Sequence, residues 1–260
     1  MMNGSALLAM SDEKRRKFFE SKGVDLTNVA QRSAAYRDRW RKGLDKAVFE
    51  KHMRFYDSMS LWSGDRPLHF TFSNWDINRQ QNAELAKKLG NQCFTLAKGL
   101  LTSNYNIMLS GGPGVGKTSL ALAILDAMHD KQRTTMFVST MRLTSLISER
   151  IEMQDVNEHL NHVINAMKRV DVLLLDDFGT EGGMKRDIRP VRKDMQDRMF
   201  EVADARLATD KQDNRTKSTI ITTNNTPEQL LRMYNEKLIS RLLPHSKGHA
   251  VSFDGLEDVR

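Results

Sequence analysis

The sequence predicts an α/β fold in which helices cover both faces of a parallel sheet. Two observations carry that expectation. Short apolar runs alternate with longer segments whose apolar residues recur every three or four positions. One such run leads straight into Gly111-Gly112-Pro113-Gly114-Val115-Gly116-Lys117-Thr118, a gapless match to the P-loop pattern G-x-x-x-x-G-K-[ST].

The chain's 260 residues hold one such domain plus an extension. Residues 11–60 mix charge with Phe18, Phe19, Trp40, Leu44, Val48 and Phe55 at helical spacing, which predicts two or three amphipathic helices. Their apolar faces fit either a small bundle or a surface awaiting a partner. Ser63-Gly64-Asp65-Arg66-Pro67 reads as a turn. The expected organisation is a helical region over 1–62, a linker and lead-in motif over 63–77 and the ATPase domain over 78–260. Leu85, Leu89, Cys93, Leu96 and Leu100 predict one helix over 78–103 with a buried side.

Strands are expected at 105–110, 135–139, 170–175, 218–222 and 250–253. Two helices are expected within 141–168, broken near Met153-Gln154-Asp155, and another over 190–208. With 39% hydrophobic and 28% charged residues and no apolar run near the roughly 20 that span a bilayer, no membrane segment is expected. The N-terminus has no basic stretch before its short apolar run, so a signal peptide is not expected and a cytoplasmic location is. Cys93 is the only cysteine, which excludes an intrachain disulfide and a multi-cysteine zinc module. His159 and His162 have ligand-like spacing with no supporting cluster. A net charge of +7 favours phosphate-rich partners.

The P-loop is the centre of the chemistry. Its glycines let backbone N–H groups curl around phosphate oxygens, and the helix that follows adds partial positive charge. Gly111, Gly112, Pro113, Gly114, Val115, Gly116, Lys117, Thr118 and Ser119 are therefore expected to hold ATP. Lys117 would reach the β/γ-phosphates, and the Thr118 hydroxyl would ligate Mg²⁺. Asp176-Asp177 follows the strand Val172-Leu173-Leu174-Leu175, the arrangement that places an acid beside the P-loop. Asp176 is assigned to the metal and Asp177 to the attacking water. Aspartate is one methylene shorter than the commoner glutamate, so hydrolysis is expected to be slow or gated by a partner.

Asn224 ends the strand Ile220-Ile221-Thr222-Thr223 and is assigned to the water or γ-phosphate. Its competing role is to serve the turn at Thr226-Pro227-Glu228-Gln229, which carries a capping box. Arg241 is the candidate arginine finger, with Lys237 second; a solvated helix face is the ordinary reading of both. Lys185, Arg186, Arg189, Arg192 and Lys193 follow Glu181-Gly182-Gly183, and a mobile glycine loop leading into cations would suit a nucleic-acid backbone.

Taken in order, these motifs resemble the DnaC/DnaI helicase loaders and their IstB transposition-helper relatives among the AAA+ ATPases. Phe70-Thr71-Phe72-Ser73-Asn74-Trp75 is similar to the family's lead-in motif. Residues 111–118 match Walker A, and Asp176-Asp177-Phe178-Gly179-Thr180-Glu181 matches its Walker B ending. Ile220-Ile221-Thr222-Thr223-Asn224 is similar to sensor 1 and Ser240-Arg241 to the finger box. Gly255-Leu256-Glu257-Asp258-Val259-Arg260 resembles the terminal element whose arginine, here Arg260, serves as sensor 2.

The resemblance implies a five-stranded sheet ordered 5-1-4-3-2 and ATP at a subunit interface. It also implies an ATP-dependent spiral oligomer, single-stranded DNA as a ligand, and a DnaB-type replicative helicase gripped by the N-terminal region. The lack of N-terminal zinc cysteines is closer to the DnaC arrangement. An ATP-dependent helicase loader is the expected function. An IstB-like helper of a transposase and a slow-hydrolysing ATP-gated adaptor are the alternatives.

Overall fold

The structure is a computed structural model that describes residues 11–23, 26–64, 66–150, 153–183 and 187–259. Its contacts divide the chain into two compact units, Met1–Lys51 and His52–Arg260. In the first, α1 spans Asp12–Ser21, and α2 spans Leu26–Met59, running on into the second unit. Where two or three helices were expected over 11–60, the chain forms one short helix and one of 34 residues. Tyr36, Trp40, Leu44 and Val48 are exposed among the described residues. Exposed i,i+4 ion pairs such as Lys42–Asp38 flank them.

The second unit is built on a five-stranded, all-parallel sheet. The strands are β1 (Ile107–Ser110), β2 (Thr135–Ser139), β3 (Val172–Asp176), β4 (Ser218–Thr223) and β5 (Ala250–Ser252). Their order is β2-β3-β4-β1-β5, the predicted order read from its other end. All the residues of β2, β3 and β4 are buried, as strands covered on both faces must be. Side chains alternate between two cores. Ile107, Leu109, Phe137, Val172, Leu174 and Ile220 meet α3 (Ala83–Gly99) and α4 (Lys117–His129). Met136, Val138, Leu173, Leu175 and Ile221 meet the opposite layer. That layer holds α5 (Thr140–Glu149), α6 (Gln154–Arg169), α7 (Lys193–Ala205), α8 (Pro227–Met233) and α9 (Glu236–Leu242).

α3 begins later than the spacing predicts because Asn82 caps it, accepting from Leu85 N at 3.0 Å. Residues 77–79 form a separate single turn capped by Asp76. Cys93 is a core residue, as expected, and burial pushes its thiol up to about 12. Among the described residues no helix is long and apolar enough to cross a membrane, and no cluster could hold a metal through His, Cys and acids alone.

One buried cation went unread in the sequence. Arg206, 1% exposed, lies where α6 turns into β3. Its guanidinium donates to Met167 O, Val170 O, Asp171 O, Ser218 O and Thr219 Oγ1 at 2.5–3.2 Å. Burial lowers its pKa to about 9, so it stays charged at neutral pH.

Candidate nucleotide-binding and hydrolysis site

The P-loop joins the carboxyl end of β1 to α4. Gly111, Gly114 and Gly116 have φ of 148°, 71° and 95°, and a side chain at any of them would be strained. The loop lies against the indole of Trp75. A Cβ on Gly116 would come within 2.6 Å of that ring, and one on Gly90 of α3 within 2.9 Å. Trp75 Nε1 also donates to Ala86 O at 3.0 Å. The lead-in motif therefore braces the loop from behind.

Lys117 Nζ lies in the loop's hollow. It donates to Gly111 O at 3.1 Å, Gly112 O at 2.6 Å and Asn224 Oδ1 at 2.7 Å. Because β4 sits between β1 and β3, the end of β4 falls between the P-loop and Asp176. The capping box at Thr226 closes on Gln229 through bonds of 2.9 and 3.3 Å. Asn225 serves the neighbouring loop by donating to Gly183 O.

Asp176 is buried at the end of β3. Its Oδ1 accepts from Thr118 Oγ1 at 2.8 Å and from Thr222 Oγ1 at 2.7 Å. Burial pushes its carboxyl above the ordinary aspartate range; Thr222 and Thr118 pull it back by hydrogen bonding, as does Lys117 by its charge, while Asp177's charge adds to the rise. The carboxylate and the Thr118 hydroxyl are hard oxygen donors on one side of the cleft, a set that suits a magnesium ion.

Asp177 has φ 56°, a left-handed conformation that aspartate tolerates better than most residues. Both its backbone groups are fixed. Its N–H donates to Thr222 Oγ1 at 2.9 Å, and its carbonyl accepts from Thr140 Oγ1 at 3.0 Å. Asp177 lines the same cleft as Lys117, Thr118 and Asp176.

Two residues of this network were missed in the sequence. Thr140 Oγ1 bridges the carbonyls of Asp176 and Asp177 and Glu181 Oε2. Glu181 also accepts from Gly179 N and from the Tyr234 hydroxyl, and burial raises its pKa. It clamps the turn behind Asp177. Thr222 stood within the quoted strand-end motif, so its position was legible although its role was not.

Gly182 and Gly183, where the expected glycine loop begins, are closely approached by neighbouring groups. A Cβ on Gly182 would meet Met233 Cγ at 2.8 Å, and one on Gly183 would meet Asp187 O at 2.0 Å. Lys185 and Arg186 lie outside the described residues. Arg189 holds Asp187 through two bonds of 2.9 and 3.0 Å, and Arg192 holds Ser148 and Asp194 at 2.7 Å each. Lys193 is exposed at the start of α7.

Arg241 does not join its own chain's site. The carbonyls of Arg241 and Leu242 accept from Asn106 Nδ2 at 2.9 and 2.7 Å, and Asn106 precedes β1. This backbone therefore lies at the amino end of the strand whose carboxyl end carries the P-loop. The guanidinium pairs with Asp204 at 2.9 Å and stacks over Phe200. Arg260 lies outside the described residues, but the tail before it reaches the P-loop. Val259 N donates to Gly114 O at 3.3 Å, and Val259 O accepts from Arg79 at 2.9 Å. Next to this tail, Phe70, Asn74, Trp75, Arg79, Gln80, Gly114 and Gly116 line a cavity of about 180 Å³.

A parallel sheet in this order, with a phosphate loop after β1 and paired acids after β3, is the architecture of an AAA+ P-loop nucleotide-binding domain. The family model described as "IstB-like ATP binding protein" matches residues 22–254. The chain belongs to that ATP-binding family. It is 21% identical over 182 residues to the replicative helicase loader DnaC of Escherichia coli, covering 69% of this chain and 66% of DnaC. It is 29% identical over 105 residues to a protein of insertion sequence IS1162 from Pseudomonas fluorescens, named for ATP binding; this covers 40% of this chain and 42% of the relative. The matches span about half the length of the first curated relatives. A solved DNA replication initiation factor shares the fold at a TM-score of 0.51 and 21% identity, over 70% of this chain and 49% of that one.

Proposed function

We propose that the protein is an ATP-dependent helicase loader that binds a DnaB-type replicative helicase and single-stranded DNA. The observation that carries this reading is the helix outside the ATPase unit. On α2, Tyr36 (70% exposed), Trp40 (65%), Leu44 (50%) and Val48 (47%) follow one another at four-residue steps among basic side chains. An exposed apolar stripe this long suits an amphipathic partner groove or helix. The similarity to DnaC gives that partner its class.

Within the ATPase unit, Lys117 and the P-loop amides hold the phosphates, while Asp176 and Thr118 hold Mg²⁺. The ion would supply charge neutralisation at the β- and γ-oxygens. Asp177 orients the attacking water, and Asn224 keeps Lys117 and the γ-phosphate in register. Arg241 stands too far from its own P-loop to act there, so it completes a neighbour's site in a spiral oligomer. Arg260 follows the tail that crosses Gly114 and acts as sensor 2. Lys185, Arg186, Arg189, Arg192 and Lys193 contribute to DNA binding.

Co-purification of the full chain with a DnaB-type helicase, with and without ATP, tests this. The reading fails if neither condition retains the helicase. The second reading, a transposase helper, is favoured by the similarity to the insertion-sequence protein. Duplex-stimulated ATPase activity without helicase binding would select it.

A further inference from the structure

After Met59 the chain runs along the open edge of the sheet. Leu61 pairs in parallel with Val138. Its N–H donates to Phe137 O at 2.9 Å, and its carbonyl accepts from Ser139 N at 2.8 Å. Ser60 Oγ accepts from Phe137 N at 3.2 Å. The Trp62 ring stacks on Phe137, with centroids 4.0 Å apart and planes at 5°. These contacts strap the segment to β2 and cover an edge that would otherwise be exposed.

Because the pairing is parallel, the residues that follow continue toward the carboxyl end of the sheet. There Ser63, Gly64 and Arg66 line a cavity of about 370 Å³ together with Lys117, Thr118, Asp176 and Asp177. The smaller cavity beside Trp75 shares Gly114, Gly116 and Ser119 with it and is not lined by Arg66. The strap therefore faces the end of the cleft where the terminal phosphate and its metal would lie, and Arg66 is the cation it brings there.

We propose that Arg66 binds the γ-phosphate of ATP in cis and lets the site distinguish ATP from ADP. This rests on the ATP site assigned above. A guanidinium offers a planar fork of donors that matches phosphate oxygens two at a time. The same cavity is lined by two carboxylates, so a second cation beside Lys117 offsets negative charge when a triphosphate enters. The strap also continues directly from α2.

The test is equilibrium binding of Mg²⁺-ATPγS and Mg²⁺-ADP to the full chain, as wild type, Arg66→Ala and Arg66→Lys. Arg66 is exposed, so an unchanged melting temperature is expected and is measured alongside. Arg66→Ala should weaken ATPγS at least tenfold and change ADP less than twofold, with Arg66→Lys between. Equal loss for both nucleotides, or no loss for ATPγS, overturns the assignment while leaving the ATP site standing. A wild-type chain that binds neither nucleotide overturns both.

Discussion

Asp176 holds a charge that its burial disfavours. Its burial outweighs the two hydroxyl hydrogen bonds from Thr222 and Thr118 and the attraction of Lys117, so its carboxyl is raised above the ordinary range. A carboxyl whose folded pKa is raised contributes most stability while it is protonated, below its unfolded pKa. That contribution is lost as pH rises through the folded value. Asp176→Asn keeps the shape and the acceptor for both threonines but removes the charge. The nucleotide-free variant should therefore be more stable than wild type at pH 7, by about 1.4 kcal/mol for each unit of upward shift. For a domain of this size each kcal/mol moves the melting temperature by about 2–4 °C. Melting curves of both proteins across pH 4 to 8, without nucleotide or magnesium, read the effect. The gap between them should close toward acid pH and open as pH rises. Mg²⁺-ATP should reverse the order, because only wild type has the carboxylate to hold the ion; at one hundred times Kd a ligand adds about 2.7 kcal/mol. A variant less stable than wild type at pH 7, with a gap independent of pH, would refute the reasoning.

Arg206→Met should cost about 3–5 kcal/mol, because it strips buried carbonyls of their shared donor; this appears as a lower denaturant midpoint with little change in slope. Gly116→Ala should abolish ATP binding, since the new methyl meets the Trp75 ring at 2.6 Å and φ of 95° strains the backbone; isothermal titration checks it. Arg241→Ala should spare ATP binding but lower turnover about 10³-fold or more, as loss of a finger does. Mixed with a Lys117→Ala chain it should regain activity, and failure to do so would remove the finger role.

Much of the fold was legible because its signals are local. The P-loop, the apolar run before Asp176 and the capping box at Thr226 each sit within about ten residues of chain. What was not legible depends on distant pairs. Thr140 and Glu181 meet across 41 residues, and Arg206 gathers carbonyls from α6, the turn before β3, and β4. The strap at Leu61 pairs through a single bridge and carries no periodicity to read. The N-terminal spacing left a bundle and an open stripe equally available, since periodicity marks an apolar face without saying what covers it. The clustering of cations after Gly183 was plain in the sequence; that Arg189 pairs with Asp187 and Arg192 with Asp194 was not.

The most direct test of the central claim is hydrolysis of γ-labelled ATP by the full chain, with and without magnesium, in wild type and Lys117→Ala. The geometry of Lys117, Asn224, Asp176 and Asp177 predicts magnesium-dependent phosphate release by wild type and none by the variant. Equal release by both proteins would contradict it.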